Sequence, residues 1–250
     1  LHDLAGKKLG KPAREIYGRS STKPIATSFT IGIDSARKMV QKALEAKEFK
    51  TLKIKLNGEN DLEVVSAIAE VTDQRLFVDA NQAWTEPEEA LETSRSLIKL
   101  GVELIEQPFA KGAWEKAKLL KENLEVPVIA DEDVLGFSDI KKLSEYYDGI
   151  NIKLMKCGGL HEAFRMTREA RACGMKILLG CMTESSIGIS AASQLAGFVD
   201  WCDLDGNLLI KNDTCQGIRC VDGLLIPEET SGIGITDDRK LRELLTTDSD

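Results

Sequence analysis

Residues 76–108 read LFVDANQAWTEPEEALETSRSLIKLGVELIEQP. A short apolar run (76–80) carries an acid near its end. An amphipathic stretch over 86–101 follows, with Pro87 in its first turn and Gly101 at its end, and a second short apolar run (103–108) again carries an acid. Apolar residues at helical spacing between two short apolar runs predict strand, helix, strand. Two strands joined by a helix lie parallel, through a right-handed crossover.

The same unit recurs outward in both directions. Apolar, often β-branched runs occur at 26–33, 52–56, 76–80, 103–108, 127–132, 149–154, 176–181 and 201–206, with helical stretches such as 34–47, 86–101 and 159–174 between them. A repeat of about 25 residues carried through eight strands favours a closed barrel over an open sheet. No GxGxxG follows the first strand, as a dinucleotide-binding sheet would require. The predicted fold is therefore α/β, a (β/α)8-type barrel spanning 24–206. Residues 1–23 read as a junction segment and 207–250 as a tail that packs back on the barrel or a cap, with short strands and turns over 217–235.

Composition limits the function. Of 250 residues, 42% are hydrophobic, enough for one large core, and 33 basic against 41 acidic residues give a net charge of −8. With no basic cluster, nucleic acid and anionic membrane are poor partners. No apolar run reaches the length of a membrane span. The six cysteines form no CxxC pair and there are only two histidines, so no zinc pattern emerges. Reduced thiols and a cytoplasmic location are expected; a homo-oligomer is compatible with this.

Polar residues at the strand ends carry the chemistry. Lys55, Asp79, Glu106, Asp131, Lys153, Cys181 and Asp203 are separated by 24, 27, 25, 22, 28 and 22 residues. One polar group per strand end converges on one mouth in a barrel of this type. Any one acid there also suits a helix cap. Three carboxylates on consecutive strands repel one another unless a cation lies between them. Asp79, Glu106 and Asp131 offer oxygen only, so Mg²⁺ is expected, with Mn²⁺ as a substitute.

Lys55 lies on the second strand and Lys153 on the sixth, facing each other across an eight-stranded barrel. A carbon held over the mouth, its carboxylate on the metal, would have one amine on each face. That arrangement suits removal of an α-proton and its return on the other side, with metal and ammonium charge supporting the enolate. Lys53, two residues before Lys55, shares its face; its like charge disfavours protonated Lys55. Asp203 and Asp205, on the strand opposite Glu106, suit a substrate ammonium.

The motifs KIK (53–55), VDANQAW (78–84), IEQP (105–108), IADED (129–133), NIKLMKCGG (151–159) and CMTESSIG (181–188) resemble the enolase superfamily, in its muconate lactonizing enzyme subgroup. CDLDG (202–206) is similar to the dipeptide epimerases within it. The resemblance implies a modified (β/α)7β barrel and 1,1-proton transfer through a metal-stabilised enolate, a lysine base with Mg²⁺ being a known pattern there. It also implies a dipeptide substrate, of Ala-Glu type, fitting peptidoglycan peptide metabolism. Lys55 and Lys153 then correspond to the acid/base pair, with Lys53 in support and on the substrate carboxylate. Asp79, Glu106 and Asp131 correspond to the metal ligands, and Asp203 and Asp205 to the holders of the dipeptide's ammonium. The family's N-terminal α+β capping domain has no counterpart in these residues, which begin at its junction, so impaired turnover is expected of 1–250 alone.

Two other readings share features with this one. An o-succinylbenzoate synthase or cycloisomerase would use the same lysines and metal but give Asp203 and Asp205 no amine to bind. A catalytically idle binding barrel would be expected to have lost some of the groups, and none is missing. Lys156 reads as a loop residue before Gly158 and Gly159, Glu184 as a pocket residue or helix cap, His161 as a first-turn helix residue and His2 as a surface one. Asn81 and Gln107 flank the ligands, and Asp133 or Glu132 could orient them or cap the next helix; none is assigned chemistry.

Overall fold

All eight apolar runs form parallel strands in the computed structural model, which describes residues 1–19 and 23–247. Residues 20–22 of the junction segment and 248–250 of the tail lie outside the described residues. Two short helices, α1 (His2–Leu9) and α2 (Ala13–Ile16), lead to a two-residue strand β1 (Ile25–Ala26). The repeat then runs β2 (Ser28–Ile31), α3 (Ala36–Glu45), β3 (Thr51–Lys55), α4 (Asp61–Ala69), β4 (Arg75–Asp79) and α5 (Pro87–Lys99). It continues through β5 (Val102–Glu106), α6 (Trp114–Asn123), β6 (Val128–Ala130), α7 (Phe137–Leu143) and β7 (Gly149–Lys153). A single turn α8 (Leu154–Cys157) precedes α9 (Leu160–Ala172), β8 (Lys176–Gly180), α10 (Ser186–Ser193) and β9 (Trp201–Asp203).

Strands β2 to β9 pair in sequence order, each parallel to the next. The ends meet where Thr27 bridges Cys202 in parallel, and Thr27 Oγ1 accepts the Leu204 N–H at 2.8 Å. The barrel is thus closed by one bridge, as a twisted sheet of eight strands can be.

Alternation along the strands separates two cores. Outward residues, among them Leu52, Ile54, Val78, Ile105, Ile150, Ile152, Ile177 and Leu179, are fully buried under the helices. Inward, Phe77, Leu104, Ile129 and Leu178 form a second apolar cluster with Trp201 against it. Two residues further along each of these strands stand Asp79, Glu106, Asp131, Gly180 and Asp203. The period of two therefore stacks a polar layer on an apolar plug and sends it to the C-terminal mouth.

Past the barrel, β10 (Arg219–Val221) and β11 (Leu224–Ile226) form a hairpin, and β11 pairs antiparallel with β1. Both turn residues, Asp222 (φ 52°) and Gly223 (φ 68°), are left-handed, as a two-residue hairpin with the strands' own twist demands. Both strands fall within 217–235, the part of the tail that reads as short strands and turns. The tail also holds a helix, α11 (Arg239–Thr247). Leucines and good helix formers over 239–245 favour it.

Candidate active site

Lys53 stands at the centre of the mouth. Its side chain is 2% exposed, and its ammonium lies 3.2 Å from Asp79 Oδ2, 2.8 Å from Glu106 Oε2 and 2.8 Å from Asp203 Oδ2. Burial alone would strip this charge. The carboxylates of Asp203, Glu106, Asp79 and Asp131 outweigh it and hold the lysine well above its usual range.

The two outer lysines each grip an outer acid. Lys55 Nζ donates to Asp79 Oδ2 at 2.6 Å, and Lys153 Nζ to Asp131 Oδ2 at 2.6 Å. Lys55 keeps 24% of its side chain exposed, while Lys153 keeps 7%. Burial pushes the Lys153 ammonium down, but Asp131 and Glu106 more than compensate, so this lysine is held above its ordinary value. β3 and β7 are four strands apart in the sheet order, so the two amines approach the mouth from opposite walls.

Between them, Asp79, Glu106 and Asp131 bring one oxygen each within 4.8 Å of the others, and all three side chains are buried. Burial and the neighbouring Asp79 charge push the Glu106 carboxyl up to about 8. Burial acts the same way on Asp131, but Lys156, Lys153 and Lys53 together hold it well below the usual range. Glu106 Oε2 is buried and accepts no hydrogen bond, since Lys53 stands beside it outside hydrogen-bonding alignment. An oxygen-only set with an unsatisfied inward lone pair fits a hard divalent cation.

Asp203 and Asp205 close the far side. Asp203 accepts Ser28 Oγ–H at 2.6 Å beside its bond to Lys53, and Asp205 Oδ2 accepts the Thr30 N–H at 2.7 Å. Burial and the Asp203 charge raise Asp205 to about 6; Asp203 is lowered, because Lys53 outweighs its burial.

Lys156 needs correcting. It is not in a loop: α8 folds the chain back by one turn, and its ammonium reaches Asp131 Oδ1 at 2.5 Å, the Asp131 carbonyl at 2.6 Å and the Asn151 carbonyl at 3.0 Å. A residue three after Lys153 faces the same way once the strand turns directly into a helix. Only the immediate GG that stops this turn, with Gly158 at φ 88°, hinted at it.

Asn151 is the second residue that sequence reading passed over. It shares the inner face of β7 with Lys153, and its amide donates to Glu106 Oε1 at 2.8 Å. Gly180 on β8 makes room, since a Cβ there would strike the Asn151 side-chain amide. Asn81 (φ 45°) and Gln107 (φ 34°) follow two ligands in a strained, left-handed backbone; the Asn81 N–H bonds Asp79 Oδ1 at 2.9 Å. Gln107 Oε1 accepts the Asp131 N–H at 2.8 Å, and its amide donates to Asp133, which also takes Tyr147, Trp114 and Gly112. Asp133 is thus fully occupied as a brace. Glu184 Oε1 caps its own loop at the Met182 N–H, His161 stands in the first turn of α9, and His2 bonds Tyr17.

A closed parallel barrel whose mouth holds three carboxylates from consecutive strands, flanked by lysines from opposite walls, defines a barrel with a candidate metal site. The chain belongs to the enolase C-terminal domain-like family, whose model matches residues 35–241. It is 44% identical over 236 residues to an L-Ala-D/L-Glu epimerase of Bacteroides thetaiotaomicron, covering 94% of this chain and 62% of that protein. An L-Ala-D/L-amino acid epimerase of Maribacter is 42% identical, with 94% and 69% covered. Among solved structures, a dipeptide epimerase from Enterococcus faecalis complexed with Mg and the dipeptide L-Leu-L-Tyr superposes with a TM-score of 0.87 at 35% identity, over 94% of this chain and 70% of that one. All six cysteines are free, and among the described residues no helix is long and apolar enough to cross a membrane.

Proposed function

We propose that these residues form the catalytic centre of a Mg²⁺-dependent dipeptide epimerase that inverts the α-carbon of the C-terminal residue of an Ala-Glu-type dipeptide. The reading is carried by Lys55 and Lys153, each bonded at 2.6 Å to an outer member of one carboxylate triad from opposite walls of the barrel. The lysine that enters neutral takes the α-proton on one face, and the opposite lysine, entering as ammonium, gives its proton to the other face. The direction depends on the hand of the substrate. Lys53, bound by three carboxylates and held charged, provides fixed positive potential rather than a mobile proton. A divalent cation held by Asp79, Glu106 and Asp131 would supply positive charge beside the substrate carboxylate, where negative charge grows on proton loss.

Asp203 and Asp205, fixed by Ser28 and Thr30, suit the dipeptide's ammonium. An o-succinylbenzoate synthase or cycloisomerase would leave these two buried acids without a partner in the substrate. The dipeptide epimerases among the relatives support the same reading, and free thiols suit a cytoplasmic setting. The test is a dipeptide library incubated with the protein and Mg²⁺ in D₂O, scored by mass for α-deuterium. Exchange confined to dipeptides with a free α-amine is expected. Its absence from every dipeptide would reject the proposal.

A further inference from the structure

We infer that Lys156 is a positioning residue for the cation site: it clamps Asp131 and, through the Asn151 backbone, the strand that carries the hydrogen-bond partner of Glu106. This rests on the reading of Asp79, Glu106 and Asp131 as cation ligands. An ammonium has three N–H donors and no acceptor. Lys156 directs them at three oxygens: Asp131 Oδ1 at 2.5 Å, Asp131 O at 2.6 Å and Asn151 O at 3.0 Å. Its side chain is only 10% exposed. With all donors engaged, it has none left for a substrate, which distinguishes it from Lys55 and Lys153.

The clamp acts at two points. Its hold on Asp131 Oδ1 fixes the carboxylate's rotation and leaves Oδ2 to Lys153. By tying the end of β6 to the Asn151 carbonyl on β7, it also fixes the register at which the Asn151 amide meets Glu106 Oε1 at 2.8 Å. One side chain outside the mouth thereby orients two of the three ligands. α8 exists to deliver it: the turn begins directly after Lys153 and closes at Gly158 in the left-handed conformation.

Orientation and charge predict opposite signs. A lysine beside a ligand repels a dication, so if charge were its only effect, removing it would tighten cation binding. If it orients ligands, removing it weakens binding by about 10- to 100-fold, as loss of groups supporting metal ligands does. Mn²⁺ binding is measured by electron paramagnetic resonance and calorimetry, without substrate, on the parent, Lys156→Met and Lys156→Gln. Circular dichroism checks that each is folded. Both variants should bind Mn²⁺ more weakly, Lys156→Met by at least tenfold and Lys156→Gln by less, since its amide retains donors without charge. A core truncation on α3, Met39→Ala, should lower stability and leave Mn²⁺ affinity unchanged.

Parent-like or tighter Mn²⁺ binding by either folded variant overturns the inference while leaving the proposed function intact. Failure of the parent itself to bind Mn²⁺ overturns both. Should Lys156→Met fail to fold, the sign of the change in Lys156→Gln decides alone.

Discussion

Lys53 Nζ lies 2.8 Å from Glu106 Oε2, with neither side chain more than 2% exposed. This pair is the electrostatic centre of the mouth, since the same ammonium also serves Asp79 and Asp203. Removing one partner of a buried ion pair typically costs about 3–5 kcal/mol, because the other is left uncompensated. Lys53→Met should therefore lower the melting temperature of the metal-free protein by about 6–20 °C, at 2–4 °C per kcal/mol for a domain of this size. Mg²⁺ should restore more of the loss than it adds to the parent, since a dication replaces the missing charge. A metal-free Lys53→Met protein as stable as the parent would show that the acids are relieved some other way.

Glu106→Gln separates charge from shape at the same position. Glutamine keeps a side-chain oxygen for the Asn151 amide at 2.8 Å but removes the negative charge from the middle of the triad. Lys53 keeps Asp203 and Asp79 as partners, and burial with the Asp79 charge already disfavours a charged Glu106, so the metal-free protein should melt close to the parent. A parent held at about a hundred times its Kd for Mg²⁺ gains about 2.7 kcal/mol, and the variant should gain almost nothing. Calorimetric melting with and without Mg²⁺ reads both. An undiminished Mg²⁺ effect would move the cation away from this triad.

Lys55→Ala and Lys153→Ala should divide the reaction by face. Losing a positioned acid or base costs about 10²–10⁴ in rate, so each variant should lose epimerisation by at least that much. Each should still wash deuterium into one hand of the substrate, where the surviving lysine meets the α-proton. The two should choose opposite hands. Following both epimers by chiral chromatography and mass in D₂O tests this. Loss of the same hand in both variants would place the lysines on one side of the carbon.

Much of this was legible in the sequence because period and spacing are one-dimensional. The 25-residue repeat and the alternation within each strand together place Lys55, Asp79, Glu106, Asp131 and Lys153 at one mouth, and the structure brings these five together. What escaped depends on local turns. Lys156 reads as a loop residue because two glycines follow closely, whereas the chain turns directly from strand into helix after Lys153. Asn151 was hidden because an inward amide on a strand looks like any other polar residue until Gly180 opposite it leaves the space. The charge of Lys53 was expected to act on Lys55. In the folded chain that charge is absorbed by Asp79, Glu106 and Asp203. The α11 helix was missed because local propensity alone had to outweigh the turn-rich stretch before it.

Asp205 sets stability against function. Burial, with the Asp203 charge added, raises its carboxyl to about 6, against an ordinary value of 3.8. A raised acid holds its proton in the folded state at pH values where the unfolded chain has released it. Stability contributed by this group is therefore lost as pH rises from about 4 to about 6, and the loss is constant above that. Two pKa units correspond to about 2–3 kcal/mol. Asp205→Asn removes the buried charge, and its side-chain oxygen can still accept the Thr30 N–H that Asp205 Oδ2 accepts at 2.7 Å. The variant should match the parent below about pH 4, pull ahead between about pH 4 and 6, and stay about 5–10 °C more stable at neutral pH. Over the same range it should lose exchange with dipeptides bearing a free ammonium. Melting curves of both proteins across this pH range decide it: a gap that does not change with pH, or a parent that is the more stable at neutral pH, would mean that Asp205 carries no such strain.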